Sequence, residues 1–223
     1  MVKFLVILSI NVFFFQQLNA DAVTAWKIAS PSVVSVAPTW PGYQNPGFGA
    51  PPGTAPEGTG VILSKEGHIL TASHVISKAI KIKVRDISGK EFEAKVLFDD
   101  PITDLAVIKV KIMTKPIVLA NKTPEIGSKT CLISNSFGLN LSITCGIVSA
   151  VNRRNVGFNQ VEDFIQTDAA SNPGSSGGAL IDLNGVLIGM MSGIFTKNTD
   201  TNAGVNFAIS TDLIKKTIPS VKN

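Results

Sequence analysis

Short apolar runs separated by turn residues recur along this chain. Val33 to Val36, Gly60 to Leu63, His68 to Thr71, Ile80 to Val84, Phe92 to Leu97 and Leu105 to Val110 are each brief and either β-branched or alternating in period two. Between them lie Lys65-Glu66-Gly67, Asp86-Ile87-Ser88-Gly89 and Asp99-Asp100-Pro101. Such segments turn the chain because glycine accepts positive φ and aspartate bonds nearby backbone N–H groups. A less patterned stretch, 111–129, precedes a second series of strands over 130–133, 141–151, 163–167, 179–183, 186–192 and 204–209. The last segment changes period: Ser210 or Thr211 caps a helix whose apolar face carries Leu213, Ile214 and Ile218. A short helix is expected over 21–28, and a surface loop rich in Pro and Gly over 38–58, with Trp40, Tyr43 and Phe48 interspersed. The pattern predicts an all-β fold of two similar units, about 31–112 and 125–210, closed by a helix over 211–218, with no repeat array.

Composition changes this picture mainly at the front. Of 223 residues, 44% are apolar and 16% charged, which excludes a disordered chain, and the mean hydropathy of +0.28 raises the question of a membrane. Much of the excess sits in one place. Lys3 is followed by an apolar run from Phe4 to Phe15 broken only by Ser9 and Asn11, then by the polar Gln16-Gln17-Leu18-Asn19-Ala20. This reads as a signal peptide over 1–20, cut after Ala20 although Leu18 is larger than usual near such a cut. The uncharged stretch falls short of the ~20 residues a spanning helix needs, and no later stretch is long and apolar enough, so no stable membrane span is expected after cleavage. The net charge of +4 is spread along the chain without a basic cluster, leaving no footprint for nucleic acid. Export places Cys131 and Cys145 in an oxidising compartment. With the turn at Ser136 to Leu139 midway between them, the two can face each other across one hairpin and form a disulfide.

The chemistry begins at Gly174-Ser175-Ser176-Gly177-Gly178, a hydroxyl set among glycines. Glycines let the backbone fold tightly enough to present a serine with two N–H groups aimed at one oxygen. A serine nucleophile needs a base, and both histidines, His68 and His74, precede Ser176. An α/β-hydrolase places its histidine after the serine, and a subtilisin-like order needs an aspartate ahead of the histidine, where only Asp21 stands. The order His, Asp, Ser survives, which belongs to paired β-barrels and agrees with the strand pattern. His74 follows a strand and opens a turn, whereas His68 begins the strand as an exposed residue. Among Asp86, Asp99, Asp100, Asp104, Asp163 and Asp168, Asp104 opens an apolar strand and can orient an imidazole from a barrel end. The two Cys and two His match no metal-ligand spacing, so no metal is expected.

Four ordered blocks resemble the HtrA/Deg family of trypsin-like serine peptidases. They are Gly58 to Leu63, Leu70 to Ile76, Asp104 to Val110 and Phe164 to Leu180, and the similarity extends from about Val23 to Ile218. The resemblance implies a chymotrypsin-like double β-barrel with its active site between the barrels, and a serine endopeptidase acting on unfolded or damaged proteins in the cell envelope. Its residue roles carry over as follows. Ser176 is the nucleophile, His74 the general acid and base, and Asp104 the residue that holds the imidazole tautomer. The N–H groups of Gly174 and Ser176 form the oxyanion hole, and the pocket for the residue before the scissile bond involves Ser171, Met191 and Ser192. No cofactor is implied. Polypeptides are the expected substrates, the periplasm or the exterior the expected location, and a homo-trimer the expected assembly. The sequence departs from the family at Ser175, Ala179 and Ser171, usually Asn, Pro and Ile, which puts the pocket preference in doubt. The chain also ends soon after the terminal helix, so a protease core without a PDZ domain is expected, and the loop 152–162, matching the family's sensor loop, lacks that partner. The alternative is a silent relative acting as a binding or chaperone-like module with a collapsed oxyanion loop, distinguished by where the Gly174 N–H points.

Overall fold

A computed structural model of the chain describes residues 21–43, 55–111, 114–194 and 202–218. The signal-peptide expectation for 1–20 lies outside the described residues. Helix α1 (Ala22–Ala29) starts where Asp21 accepts the Thr24 N–H, a side-chain cap that satisfies one of the helix's free donors. Six strands follow: β1 (Val33–Thr39), β2 (Gly58–Ile62), β3 (His68–Ala72), β4 (Lys81–Arg85), β5 (Glu91–Asp100) and β6 (Leu105–Lys109), with a one-turn helix α2 (Ser73–Ile76) after β3. Six more form the second half: β7 (Lys129–Ser134), β8 (Ser142–Arg153), β9 (Phe164–Thr167), β10 (Ala179–Asp182), β11 (Leu187–Ile194) and β12 (Asn206–Ser210). Helix α3 (Thr211–Thr217) closes the chain, its Leu213 N–H held by the Ser210 hydroxyl.

Each half closes into a barrel, in the orders β1-β2-β3-β6-β5-β4 and β10-β11-β12-β9-β8-β7. Stepping six strands along the chain converts one order into the other, so the two barrels share one connectivity, and every pairing between strands is antiparallel. This is a trypsin-like double β-barrel. Closure removes the unpaired edges that an open sheet would expose.

Burial follows the period. On β4, Ile82 and Val84 are buried while Lys81 and Lys83 are exposed, which puts one face inward. On β7 both faces are buried: Leu132 joins Val148, Ile165, Leu180, Ile188 and Met191 in a cluster of the second barrel, while Cys131 and Ile133 belong to a larger cluster with the first barrel and α1. The two barrels therefore pack as one body through this outer face.

Two local expectations need correction. Asp99 and Asp100 end strand β5 rather than forming the turn itself, and only the Asp100 carboxylate organises the following turn, accepting from Ile102 N–H and the Thr103 hydroxyl. The 38–58 loop is shorter than its composition indicated, because Pro38 pairs with Ile82 inside β1 and Gly58 opens β2. Proline is tolerated in a strand where its missing N–H is not called on.

Candidate active site

The ends of strands from both barrels converge on one cleft. Strand β3 delivers His74 on the single turn of α2, and Asp104 sits just before β6, which pairs with β3 from Ala72↔Leu105 onward. The pairing brings the two residues together, and the backbone then shapes the contact. Asp104 has φ +60°, the left-handed region, and its own carbonyl accepts the Ser73 N–H. A non-glycine residue at such a φ is uncommon and is held only by surrounding structure. Here the Asp104 carboxylate accepts four hydrogen bonds: the His74 backbone N–H at 3.0 Å, His74 Nδ1 at 2.9 Å from each oxygen, and the Ser192 hydroxyl at 2.7 Å.

Carboxylate oxygens accept hydrogen bonds, so the contact fits the His74 tautomer that carries its proton on Nδ1 and a lone pair on Nε2. The exposures suit the roles, since the Asp104 side chain is 8% exposed and that of His74 52%. The other histidine is occupied elsewhere: His68 Nδ1 bonds the Ser64 hydroxyl at 2.7 Å.

Ser176 arrives from the second barrel on the 172–178 segment, and the amides of this segment divide into two kinds. Ser175 N–H donates to Asn172 O, Gly177 N–H to Met191 O and Gly178 N–H to Ser175 O. Those of Gly174 and Ser176 have no acceptor among the described residues. Their orientation follows from the carbonyls of the same peptide units, since C=O and N–H point oppositely across a trans peptide. The Pro173 carbonyl is tied to Phe137 N–H at 2.6 Å and the Ser175 carbonyl to Gly178 N–H at 2.8 Å, so both free N–H groups face away from those anchors. Gly174 has φ +95° and its Cα lies so close to the Asn135 carbonyl that a Cβ would collide. Thr59 of β2 grips the segment from the first barrel: its hydroxyl donates to Gly174 O at 2.8 Å and its N–H to Ser176 O at 2.8 Å. Ser175 is fully buried, its hydroxyl 3.0 Å from that of Ser134 and 2.9 Å from that of Ser136, while also accepting the Asn172 N–H.

The Ser176 hydroxyl itself points to the Ser192 carbonyl at 3.4 Å and makes no hydrogen bond to His74 among the described residues. The structure thus brings His74, Asp104 and Ser176 to one cleft, with the His74–Asp104 contact formed and the Ser176–His74 contact unformed.

The three residues named for the substrate pocket sit differently. Ser171 is buried, with its carbonyl accepting Asn202 Nδ2 at 3.0 Å. Met191 packs in the apolar cluster of the second barrel, and the Ser192 side chain is turned to Asp104. A cavity of about 350 Å³ does open beside His74 and Asp104, lined also by Ser192, Pro101, Phe158 and Asn159. Phe158 and Asn159 come from the 154–162 loop, which sequence reasoning marked only by analogy. Glu162 organises that loop by accepting four of its backbone N–H groups, from Val156, Gly157, Phe158 and Asn159, at 2.6–3.0 Å. Burial pushes the Glu162 carboxyl up, but the four donors outweigh it and hold it below the usual carboxylate range. The loop docks beside Asp104, with Val161 N–H on Ile102 O and Asn159 Nδ2 on Thr103 O.

Cys131 and Cys145 face each other across β7 and β8 and are disulfide-bonded. Among the described residues no group of His, Cys, Asp and Glu could hold a metal ion, and no helix is long and apolar enough to cross a membrane.

Residues 58–190 match the family described as "Trypsin-like peptidase domain". The periplasmic serine endoprotease DegP of Salmonella typhimurium is 41% identical over 162 residues, covering 71% of this chain and 34% of that protein. DegP of Escherichia coli K12 is 40% identical over the same length and shares. The chain spans about a third of the length of these curated relatives. Among solved structures, the HtrA-type protease AlgW with a tripeptide superposes with TM-score 0.78 at 38% identity, covering 89% of this chain and 62% of that one. A serine endoprotease from Yersinia pestis gives TM-score 0.74 at 35% identity, covering 89% and 65%.

Proposed function

Because the chain belongs to the family of trypsin-like peptidase domains, with DegP and HtrA-type proteases among its relatives, we propose that it is a serine endopeptidase whose triad is His74, Asp104 and Ser176. The observation that carries this reading is the pair of N–H groups at Gly174 and Ser176 with no acceptor among the described residues, next to a histidine whose Nδ1 is committed to a buried carboxylate.

When a peptide carbonyl enters the cleft, the Ser176 hydroxyl turns from the Ser192 carbonyl to His74 Nε2. Nε2 takes the proton as Oγ attacks the carbonyl carbon, and the carbonyl oxygen, now negative, receives the two free N–H groups. These donors are worth most in the transition state because their carbonyl anchors fix them before the reaction begins. His74 then gives the proton to the leaving amine, which breaks the peptide bond and leaves an acyl ester on Ser176. Water attacks that ester as His74 takes its proton, and His74 returns that proton to Ser176 Oγ as the ester bond breaks and the acid product leaves. Asp104 supports both steps by holding the tautomer and stabilising the imidazolium, and the Ser192 hydroxyl steadies the Asp104 oxygen.

The substrates are polypeptides, chiefly unfolded or damaged ones, cleaved in the periplasm or outside the cell; the relatives' names, which say periplasmic serine endoprotease, support the reaction and the first of these locations. The Gly174 N–H, without an acceptor among the described residues, favours an active arrangement over a silent one. Degradation of casein by the protein and by Ser176→Ala tests the reading. Cleavage that disappears in the variant supports it, and equal rates overturn it.

A further inference from the structure

The aim of the Gly174 N–H depends on one bond, from Phe137 N–H to the Pro173 carbonyl. Phe137 has φ +58°, the left-handed region, in a short turn (Ser136–Gly138) between β7 and β8. An aromatic residue does not hold that conformation unaided, so the turn must be fixed by its surroundings. Asn135 enters the turn and is fully buried. Its backbone N–H is held by Thr59 Oγ1 at 2.9 Å, and its side-chain Nδ2 donates to Glu57 Oε2 at 2.7 Å. Its Oδ1 is buried with no partner among the described residues, so Glu57 is the one polar group that orients this amide. Glu57 is in turn fixed by Arg85 of β4 in a two-point contact, Nη1 to Oε1 at 3.1 Å and Nη2 to Oε2 at 2.7 Å. Only about a fifth of either side chain is exposed, so solvent competes weakly for the paired geometry.

We infer that Glu57, clamped by Arg85, is a positioning residue for the oxyanion site, acting through Asn135 and the Phe137 turn on the Pro173–Gly174 peptide. It touches neither substrate nor triad. Thr59, two residues further along, holds the other side of the same segment, so the start of β2 grips the segment twice: directly through Thr59, and indirectly through Glu57. The inference rests on Gly174 and Ser176 being the oxyanion donors.

The test is the rate of phosphonylation by a fluorophosphonate probe, whose phosphoryl oxygen must sit on those donors, measured as a maximal rate and a half-saturating concentration. Losing one such donor costs about 10²–10³, and displacing it without losing it costs less, so Glu57→Ala is expected to lower the maximal rate about tenfold. The half-saturating concentration should stay within about twofold, since the donors act on the transition state rather than on probe binding. Labelling run to completion counts folded sites, which separates a misaimed donor from a misfolded fraction. Glu57→Gln keeps an oxygen that can accept from Asn135 and should recover the rate to within about threefold of the parent. In a double-mutant cycle, Asn135→Ala combined with Glu57→Ala should be no slower than the worse single variant, because both act on one path. A parent-like maximal rate in Glu57→Ala, a loss confined to half-saturation, or Gln as slow as Ala overturns the inference. Ser176→Ala runs alongside: if it is still labelled and still cleaves casein, the triad reading fails instead.

Discussion

Removing the Cys131–Cys145 bond has a consequence that can be worked from the structure. The two residues lie 14 apart in sequence and directly opposite in a ladder that pairs Lys129–Ser134 with Ser142–Ile147. In the chain-entropy model, closing a loop of that length restricts the unfolded chain by about 3 kcal/mol at 25 °C. For a domain of this size, each kcal/mol moves the midpoint by about 2–4 °C, so reduction is expected to lower Tm by about 6–12 °C. Because Cys145 is exposed while Cys131 is buried, a reductant can reach the bond from one side without unfolding the barrel. The assay is differential scanning calorimetry of the same protein with and without reductant, which changes the bond and nothing else. For a permanent version, Cys131→Ala with Cys145→Ser avoids burying an unpaired hydroxyl, which would add its own cost. The ladder still sets the register after reduction, so turnover well below the lowered midpoint should change by less than about twofold. A shift under about 2 °C, or mass spectrometry finding two free thiols in the unreduced protein, refutes the reasoning.

The remaining predictions concern the cleft. Asp104→Asn presents an amide where His74 needs an acceptor that fixes its tautomer, and turnover should fall by about 10³–10⁴ with little change in KM, read from initial rates of peptide cleavage. Gly177→Ala places a Cβ against the Thr59 carbonyl at φ +86°, and should destabilise by about 3 kcal/mol or more in denaturant unfolding. The Glu162 carboxyl is lowered on folding from its ordinary value of 4.5. Its contribution is therefore complete above that value and is lost as pH falls through the lower folded value. Amide protection factors in residues 154–162, corrected for the intrinsic exchange rate, should fall on acidification across that window, and in Glu162→Gln they should already be low at neutral pH.

The barrels were legible because closed antiparallel sheets impose a period of two, and every strand expected from that period is formed. The candidates His74, Asp104 and Ser176 were legible because histidine order is a property of sequence: with both histidines ahead of Ser176, few arrangements remained, and the fold brings His74 against Asp104. What holds these residues in place was not legible. Ser192 reaches Asp104 across 88 positions and Asn135 reaches Glu57 across 78, and nothing in the local sequence marks a serine or a glutamate for such a partner. The left-handed Asp104 and Phe137 carry none of the glycine signal that usually announces positive φ, so the fold had to reveal them. Met191 and Ser192 stood as pocket residues by the family resemblance alone; alternation along β11 sends the Met191 side chain into the barrel and the Ser192 side chain to Asp104, at the cavity wall.

The proposed nucleophile is Ser176, and not the neighbouring buried Ser175. The direct measurement is the position of a fluorophosphonate adduct, mapped by peptide mass spectrometry of the labelled protein. One adduct is expected, on Ser176, absent from Ser176→Ala and lost together with casein cleavage. An adduct on any other residue, or a protein that cleaves casein while Ser176 stays unmodified, contradicts it.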